Sequence, residues 1–285
     1  MLMNADKPGA FERAMARLPE GLFLRSLFTG LLAATITIFA LDFRDVLQSD
    51  RGQTPGMTRL EPVTMERPSS RDHLRPYLPW TSPVTREGGS LNLPGFDRPP
   101  DHGMLREKMS FKLGPDGTAS AVGLIESGTA GEFERFLAAS KDKVRWLALH
   151  SPGGSVPDAL AMSRLIRKHE ITTAVPSNGY CASSCPLVFA GGSKREAGKG
   201  AWIGVHQIYT IDSAIGTIHD GMAEGQKISA VCQQHLNEMG VDPQVWVHAM
   251  RTPKHQIYVF TPKELKTFKL ATHVHGDDAK GKRKS

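Results

Sequence analysis

The chain has little of what several classes of protein require. Its 285 residues include three cysteines, aromatic residues make up 7%, and 35 Lys and Arg are opposed by 29 Asp and Glu. Three cysteines cannot build a disulfide scaffold, and mixed charges with few aromatics argue against nucleic-acid binding. The hydrophobic share of 40% and the charged share of 22% exclude wholesale disorder and a multi-span membrane protein. We therefore expect a globular core with appended segments.

Metal and nucleotide sites also lack their usual sequence patterns. His273 and His275 have no further ligands at a suitable spacing, and the glycine-rich stretch 191–194 is not followed by Walker spacing. We expect no metal and no other cofactor.

Charge is absent from one stretch near the N-terminus. Ser26 to Leu41 has no charge over sixteen residues, about 24 Å of helix against a hydrocarbon core of about 30 Å. Flanking apolar residues and a snorkelling Arg25 extend it to residues 21–43. This predicts a single-pass signal anchor after a cytoplasmic segment 1–20, with the rest of the chain extracytoplasmic, periplasmic in a bacterium. A cleaved signal peptide and a buried helix are the alternatives.

Proline is concentrated in the next segment. Residues 44–103 hold nine of the 19 prolines and no lysine, with little apolar periodicity. This composition predicts a Pro/Arg-rich linker, in which Tyr77 to Trp80 form an apolar patch able to dock elsewhere. At the other end, residues 276–285 are predicted to form a basic disordered tail.

Between these segments, residues 104–275 alternate β-branched runs with helical periodicity, which predicts an α/β domain. The predicted strands span residues 121–126, 144–150, 171–175, 202–206 and 270–273, and the predicted helices begin near residues 129, 155, 183, 213 and 261. Helix-capping signals include a capping box at Thr129 and a Thr-Pro start at Thr261. Loops after the strands are where a site is expected.

Three of these loops carry candidate functional residues. Residues 150–155 contain adjacent glycines before a helix, an arrangement that can turn backbone N–H groups toward a ligand. Ser183 precedes an apolar helix, and His206 ends the next strand. Each loop taken alone is more often structural, but together they suggest a serine nucleophile, a histidine base and an oxyanion site.

The same loops resemble those of the Clp protease proteolytic subunit and its relatives in the Clp/crotonase superfamily. Residues 151–154 resemble its SPGG turn, residues 179–183 its G-x-A-x-S stretch and residues 205–207 its IHQ. The resemblance covers roughly residues 121–272 and is closest to predicted periplasmic Clp-like proteins. It implies a spiral of repeated β-β-α units, a peptide or protein substrate and a homo-oligomer.

The resemblance also implies roles for individual residues. Ser183 would be the nucleophile, His206 the general base, and the backbone N–H groups of Gly154 and Ser184 the oxyanion hole. Ser184 is the rival nucleophile.

One part of the family pattern is missing, because residues 255–258 contain no carboxylate where the triad aspartate belongs. Asp242, Asp212 or a backbone carbonyl could replace it. Loss of the third member can cost about 10⁴-fold in rate, so a slow enzyme or a pseudo-enzyme is expected.

Cys181 and Cys185 flank the candidate nucleophile four residues apart. They fit buried thiols, a disulfide or half of a metal site, and we expect the disulfide. The predicted function is a membrane-tethered serine hydrolase, a peptidase. The alternatives are a non-catalytic peptide-binding module and a crotonase-type acyl-thioester enzyme.

Overall fold

The computed structural model describes residue 9 and residues 21–52, 63–64, 74–77, 83–84, 91–97, 102–141, 143–208 and 218–275. These residues belong to two compact units, Met1–Pro55 and Gly56–Ser285. The predicted tail 276–285, Asp212 and nearly all of the predicted segment 1–20 lie outside the described residues.

The described part of the first unit contains helix α1 (Leu22–Gly52), which ends beyond the predicted boundary at residue 43. Among the described residues, no helix has both the length and the apolar character needed to cross a membrane. The predicted single-pass anchor over residues 21–43 and the localisation built on it are therefore wrong. Arg25 and Asp42 limit the uncharged stretch to sixteen residues, which is short for a bilayer core of about 30 Å.

The second unit combines short strands with helices of six to 21 residues. Its described helices are α2 (Thr129–Ala139), α3 (Val156–Lys168), α4 (Cys185–Ala190), α5 (Ile218–Glu238), α6 (Gln244–Arg251) and α7 (Pro262–Thr267), with 3₁₀ turns at His102–Arg106 and Pro115–Gly117. Its described strands are β1 (Val63–Thr64), β2 (Leu74–Pro76), β3 (Pro83–Val84), β4 (Ser110–Leu113), β5 (Thr118–Val122), β6 (Trp146–His150), β7 (Thr172–Val175), β8 (Tyr180–Ala182), β9 (Arg195–Ala197), β10 (Trp202–Val205), β11 (Gln256–Val259) and β12 (His273–Val274).

The strands form two main sheets and one small pair. The six-stranded sheet has the order β12-β9-β7-β6-β5-β4 and is parallel except for β4. The four-stranded sheet has the order β2-β11-β10-β8, in which β8 and β10 are parallel and the other pairs antiparallel. Strands β1 and β3 pair separately. The predicted α/β class is confirmed.

Local side chains cap the starts of two helices in this unit, α3 and α7. Ser155 caps α3 by accepting a hydrogen bond from the Asp158 N–H at 3.3 Å, and a capping box of Thr261 and Glu264 opens α7 as predicted. The capping box predicted at Thr129 is wrong. Instead the Asp158 carboxylate accepts hydrogen bonds from the Gly128 and Ala130 N–H groups, both at 3.0 Å.

The order of elements brings two strand ends together. From β7 to α5 the chain runs twice through a strand of the six-stranded sheet, a strand of the four-stranded sheet and a helix. The middle strands of the two passes, β8 and β10, are neighbours with Gly204 opposite Ala182. Because they are parallel, the residues that follow them meet at one edge of the sheet.

Candidate active site

Ser183 lies directly between β8 and α4 and adopts an unusual backbone conformation. Its φ of 61° is in the left-handed region, which costs a non-glycine residue about 1–2 kcal/mol. The neighbouring strand holds it there, since the Ser183 N–H donates to the Gly204 carbonyl at 3.0 Å. Its side chain is only partly buried. Backbone strain of this kind is concentrated at functional sites.

A disulfide joins Cys181 and Cys185, on either side of Ser183, with the two Cα atoms 5.2 Å apart. Both cysteines are buried, and all six residues of α4 are buried as well. The covalent link therefore restricts the loop that carries Ser183 at both of its ends.

The glycine turn after β6 packs directly on this loop. Gly153 has a φ of 93°, and a Cβ built there would lie 2.7 Å from the Ser183 Cβ and 2.8 Å from the Ser184 nitrogen. At Gly154, with a φ of 136°, a Cβ would collide with the Ile125 carbonyl oxygen. Only glycine fits this close approach of backbone to backbone.

Two backbone N–H groups in these packed segments have no acceptor among the described residues, namely those of Gly154 and Ser184. Their neighbours are satisfied: the Gly153 N–H donates to the Ser151 Oγ at 3.0 Å. Paired unsatisfied amides beside a serine are the usual donors of an oxyanion hole.

His206 follows β10 at the same edge of the sheet. The ladder places Gly204 opposite Ala182, so Ser183 and His206 each follow the end of one of two neighbouring parallel strands. The imidazole is 2% exposed. Burial lowers the pKa of His206 to about 4, while the nearby Lys254 backbone carbonyl raises it in opposition. The ring is therefore neutral at pH 7.

The carboxylate suggested as a third member is elsewhere. Asp242 lies before α6, where its Oδ1 accepts a hydrogen bond from the Gln244 N–H at 2.9 Å. It does not contact His206, whose partner is the Lys254 backbone carbonyl. Of the suggested replacements, the described structure places a carbonyl at the imidazole.

Tyr77 belongs to the apolar patch for which the sequence predicts docking, but the sequence predicts no role for it in the site. Its ring lies on His206 with the centroids 4.2 Å apart and the planes tilted by 37°. Its hydroxyl donates to the Pro152 carbonyl, within the glycine turn, at 2.8 Å. The linker thus contributes a side chain to two of the three candidate loops.

Ser184, the rival nucleophile, is more deeply buried than Ser183. It is 1% exposed, and its buried Oγ has no hydrogen-bond partner within the described ranges.

A pocket of about 440 Å³ begins immediately after His206. Its lining comes from Gln207, Ile208 and the facing surfaces of α5 and α6 and contains no charged side chain. Such a pocket suits an apolar or neutral group next to a reacting bond.

In the part of the chain that the structure describes, no three His, Cys, Asp or Glu residues are grouped to hold a metal ion. The candidate groups at this edge of the sheet are a serine, a buried neutral imidazole and the N–H groups of Gly154 and Ser184. This set can carry out acyl transfer through nucleophilic attack, proton transfer and stabilisation of an oxyanion.

Comparison with known proteins gives limited similarity. No protein-family model matches the chain, and no curated protein is significantly similar to it. Among solved structures, a mutant of the 1510-N membrane-bound stomatin-specific protease is similar with 17% sequence identity and a TM-score of 0.41. The match covers 55% of this chain and 76% of that protein.

Proposed function

We propose that the protein is a serine hydrolase that cleaves an acyl bond, with a peptide as its substrate. The observation that carries the proposal is the close packing of Gly153 on the Ser183 loop, where an added Cβ would meet the Ser183 Cβ and the Ser184 nitrogen. The Gly154 and Ser184 N–H groups are the oxyanion donors that we propose for this turn and this loop. The choice of a peptide is supported by the resemblance of residues 151–154, 179–183 and 205–207 to the Clp protease proteolytic subunit.

In this mechanism the Ser183 Oγ attacks the substrate carbonyl carbon while His206 takes its proton. The resulting oxyanion accepts hydrogen bonds from the Gly154 and Ser184 N–H groups. His206 then gives the proton to the leaving amine as the C–N bond breaks, which leaves an acyl ester on Ser183. A water molecule, deprotonated by His206, hydrolyses that ester and returns the serine.

Turnover is expected to be slow. With a pKa of about 4, His206 is a weak base whose protonated form is disfavoured by burial. The Lys254 carbonyl orients the imidazole but carries no full charge to stabilise imidazolium. In serine proteases, impairing the third member costs about 10⁴-fold.

One observation favours a second candidate, a peptide-binding module without turnover. Asp242, the suggested carboxylate, is engaged with the Gln244 N–H instead, and Tyr77 lies on the His206 ring. Such a module would keep the pocket and the amides but would not acylate Ser183. A crotonase-type acyl-thioester enzyme would likewise work through the amides without the serine.

Labelling with a fluorophosphonate separates these functions, because the reagent phosphonylates a serine only when the serine is activated. We expect peptide mapping to locate the label on Ser183 and the Ser183→Ala variant to lose it. Ser193→Ala is the matched control, since this exposed serine lies away from the site and donates to the Glu170 carbonyl. Absence of label on the folded wild-type protein would favour the binding module.

A further inference from the structure

Tyr77 connects two parts of the candidate site that are distant in sequence. Its hydroxyl reaches the Pro152 carbonyl, 75 residues away, and its ring covers the His206 imidazole. The ring is also packed against the apolar cluster that includes Ala182, the residue before Ser183. One side chain thus contacts both the glycine turn and the candidate base.

The segment that carries Tyr77 is fixed by main-chain pairing. Strand β2 is antiparallel to β11, with Leu74 opposite Tyr258 and Pro76 opposite Gln256. The Tyr77 N–H then donates to the His255 carbonyl at 3.0 Å. Both ends of the tyrosine are therefore held, the backbone by β11 and the phenol by the glycine turn.

A second contact connects this segment to β10, the strand next to β11 in the sheet. The Arg75 guanidinium carbon is 5.2 Å from the centroid of the Trp202 ring on β10, a cation–π distance. This contact ties β2 to the strand that ends at His206. The position of Tyr77 is thus set by the same strand that sets the position of the imidazole.

We propose that Tyr77 is a positioning residue for His206. Together with the Lys254 carbonyl, Tyr77 takes over the orienting role of the family's aspartate, which residues 255–258 lack. The proposal rests on the serine hydrolase function proposed above. The carbonyl is an acceptor close to the imidazole, and the tyrosine ring restricts the plane of the imidazole by direct contact. Neither group carries a full charge that could stabilise the imidazolium. The pair therefore orients the ring without stabilising its protonated form.

The hydroxyl of Tyr77 adds a link between base and oxyanion hole. Because it bonds to the Pro152 carbonyl, a shift of the ring is transmitted to the turn that carries Gly153 and Gly154. Displacing catalytic groups by about 1 Å can cost 10²-fold in rate. The tyrosine therefore keeps the imidazole and the amide donors in register with each other.

The test compares Tyr77→Ala, Tyr77→Phe and a control on the same strand, Leu74→Ala, whose side chain is 57% exposed. The rate of fluorophosphonate labelling is expected to fall at least about tenfold in Tyr77→Ala and to fall by a smaller factor in Tyr77→Phe, which keeps the ring on His206 but loses the bond to the Pro152 carbonyl. Leu74→Ala is expected to label like the wild type.

A second measurement does not depend on activity. The ring protons of His206, assigned with a His206→Gln variant, are titrated by NMR. The His206 pKa is about 4 in the wild type, and removal of the covering ring is expected to raise it toward the ordinary 6.5, whereas Tyr77→Phe leaves it low. The segments packed on the imidazole carry Tyr77, Lys254 and His255 as titratable side chains.

The outcomes are distinct. Unchanged or faster labelling in Tyr77→Ala would overturn the proposal, because Tyr77 would then only shield the imidazole. An unchanged His206 pKa in Tyr77→Ala would overturn it as well. If circular dichroism shows that Tyr77→Ala is unfolded, Tyr77→Leu replaces it with the same expected direction in both measurements. If the Ser183→Ala variant is labelled like the wild type, the hydrolase function is refuted instead. The NMR titration of His206 still tests the role of Tyr77 in that case.

Discussion

Replacing Gly153 by alanine tests whether the glycine turn is built to approach the nucleophile. The new Cβ would lie 2.5 Å from the Ala182 carbonyl oxygen, 2.7 Å from the Ser183 Cβ and 2.8 Å from the Ser184 nitrogen. Two of these atoms belong to the backbone, so no rotation of a side chain relieves the overlap. The turn must move away from the loop.

The size of the effect follows from two contributions. A φ of 93° costs an alanine about 1–2 kcal/mol in backbone strain, which lowers the melting temperature by a few degrees in a domain of this size. The movement of the turn withdraws the Gly154 N–H from its position beside the serine. Losing one oxyanion donor costs about 10²–10³ in rate.

The assay is the rate of fluorophosphonate labelling, measured together with thermal unfolding. We expect labelling of Gly153→Ala to fall by about 100-fold or more, with a folded protein of slightly lower melting temperature. The control is Gly131→Ala within α2, where an added Cβ meets nothing within 4 Å. It should leave labelling unchanged and stabilise the helix by up to about 1 kcal/mol. Wild-type labelling of Gly153→Ala would show that the turn does not serve the serine.

Three further predictions concern protons and redox state. Labelling should rise with pH through a midpoint near 4, where His206 loses its proton; a midpoint near 6.5 in the wild type contradicts this. Burial also lowers the pKa of His235 to about 4, and the unfolded chain protonates both histidines near 6.5. Their contribution to stability is therefore full above pH 6.5 and is lost as the pH falls toward 4, about 3 kcal/mol for each histidine. Urea unfolding at several pH values measures this loss, and a flat profile would refute it. Finally, mapping of non-reduced peptides should find Cys181 linked to Cys185, and reduction should slow labelling because the loop is released; free thiols in the native protein would contradict the linkage.

Features with local causes could be predicted from the sequence. The α/β class follows from alternating short apolar runs, and the starts of α3 and α7 follow from Ser155 and Thr261, each within a few residues of its hydrogen-bond partner. The loop of His206 could be placed at a strand end because it follows the apolar run 202–205, whereas Ser183 directly follows β8, which was not predicted. The parallel pairing of β8 and β10 then brings those loops to one edge.

Features with distant causes could not be predicted. Asp158 caps α2 across 28 and 30 residues, so the capping box at Thr129 was inferred from spacing alone. The short strands β8 and β11, of three and four residues, carry too little alternation to be recognised. The partner of His206 is a backbone carbonyl, which every residue possesses, and therefore the sequence contains no sign of Lys254.

Strand β2 has a consequence for where the domain can be cut. It covers the outer edge of β11, and with Arg75 and Pro76 in three residues it makes a poor template for further strands. A chain truncated at Met104, where the motif-bearing region begins, would lose this cover and leave the N–H and C=O groups of β11 unpaired. Such an open edge promotes association between copies. A shortened protein that does not associate through this edge must therefore begin before Leu74.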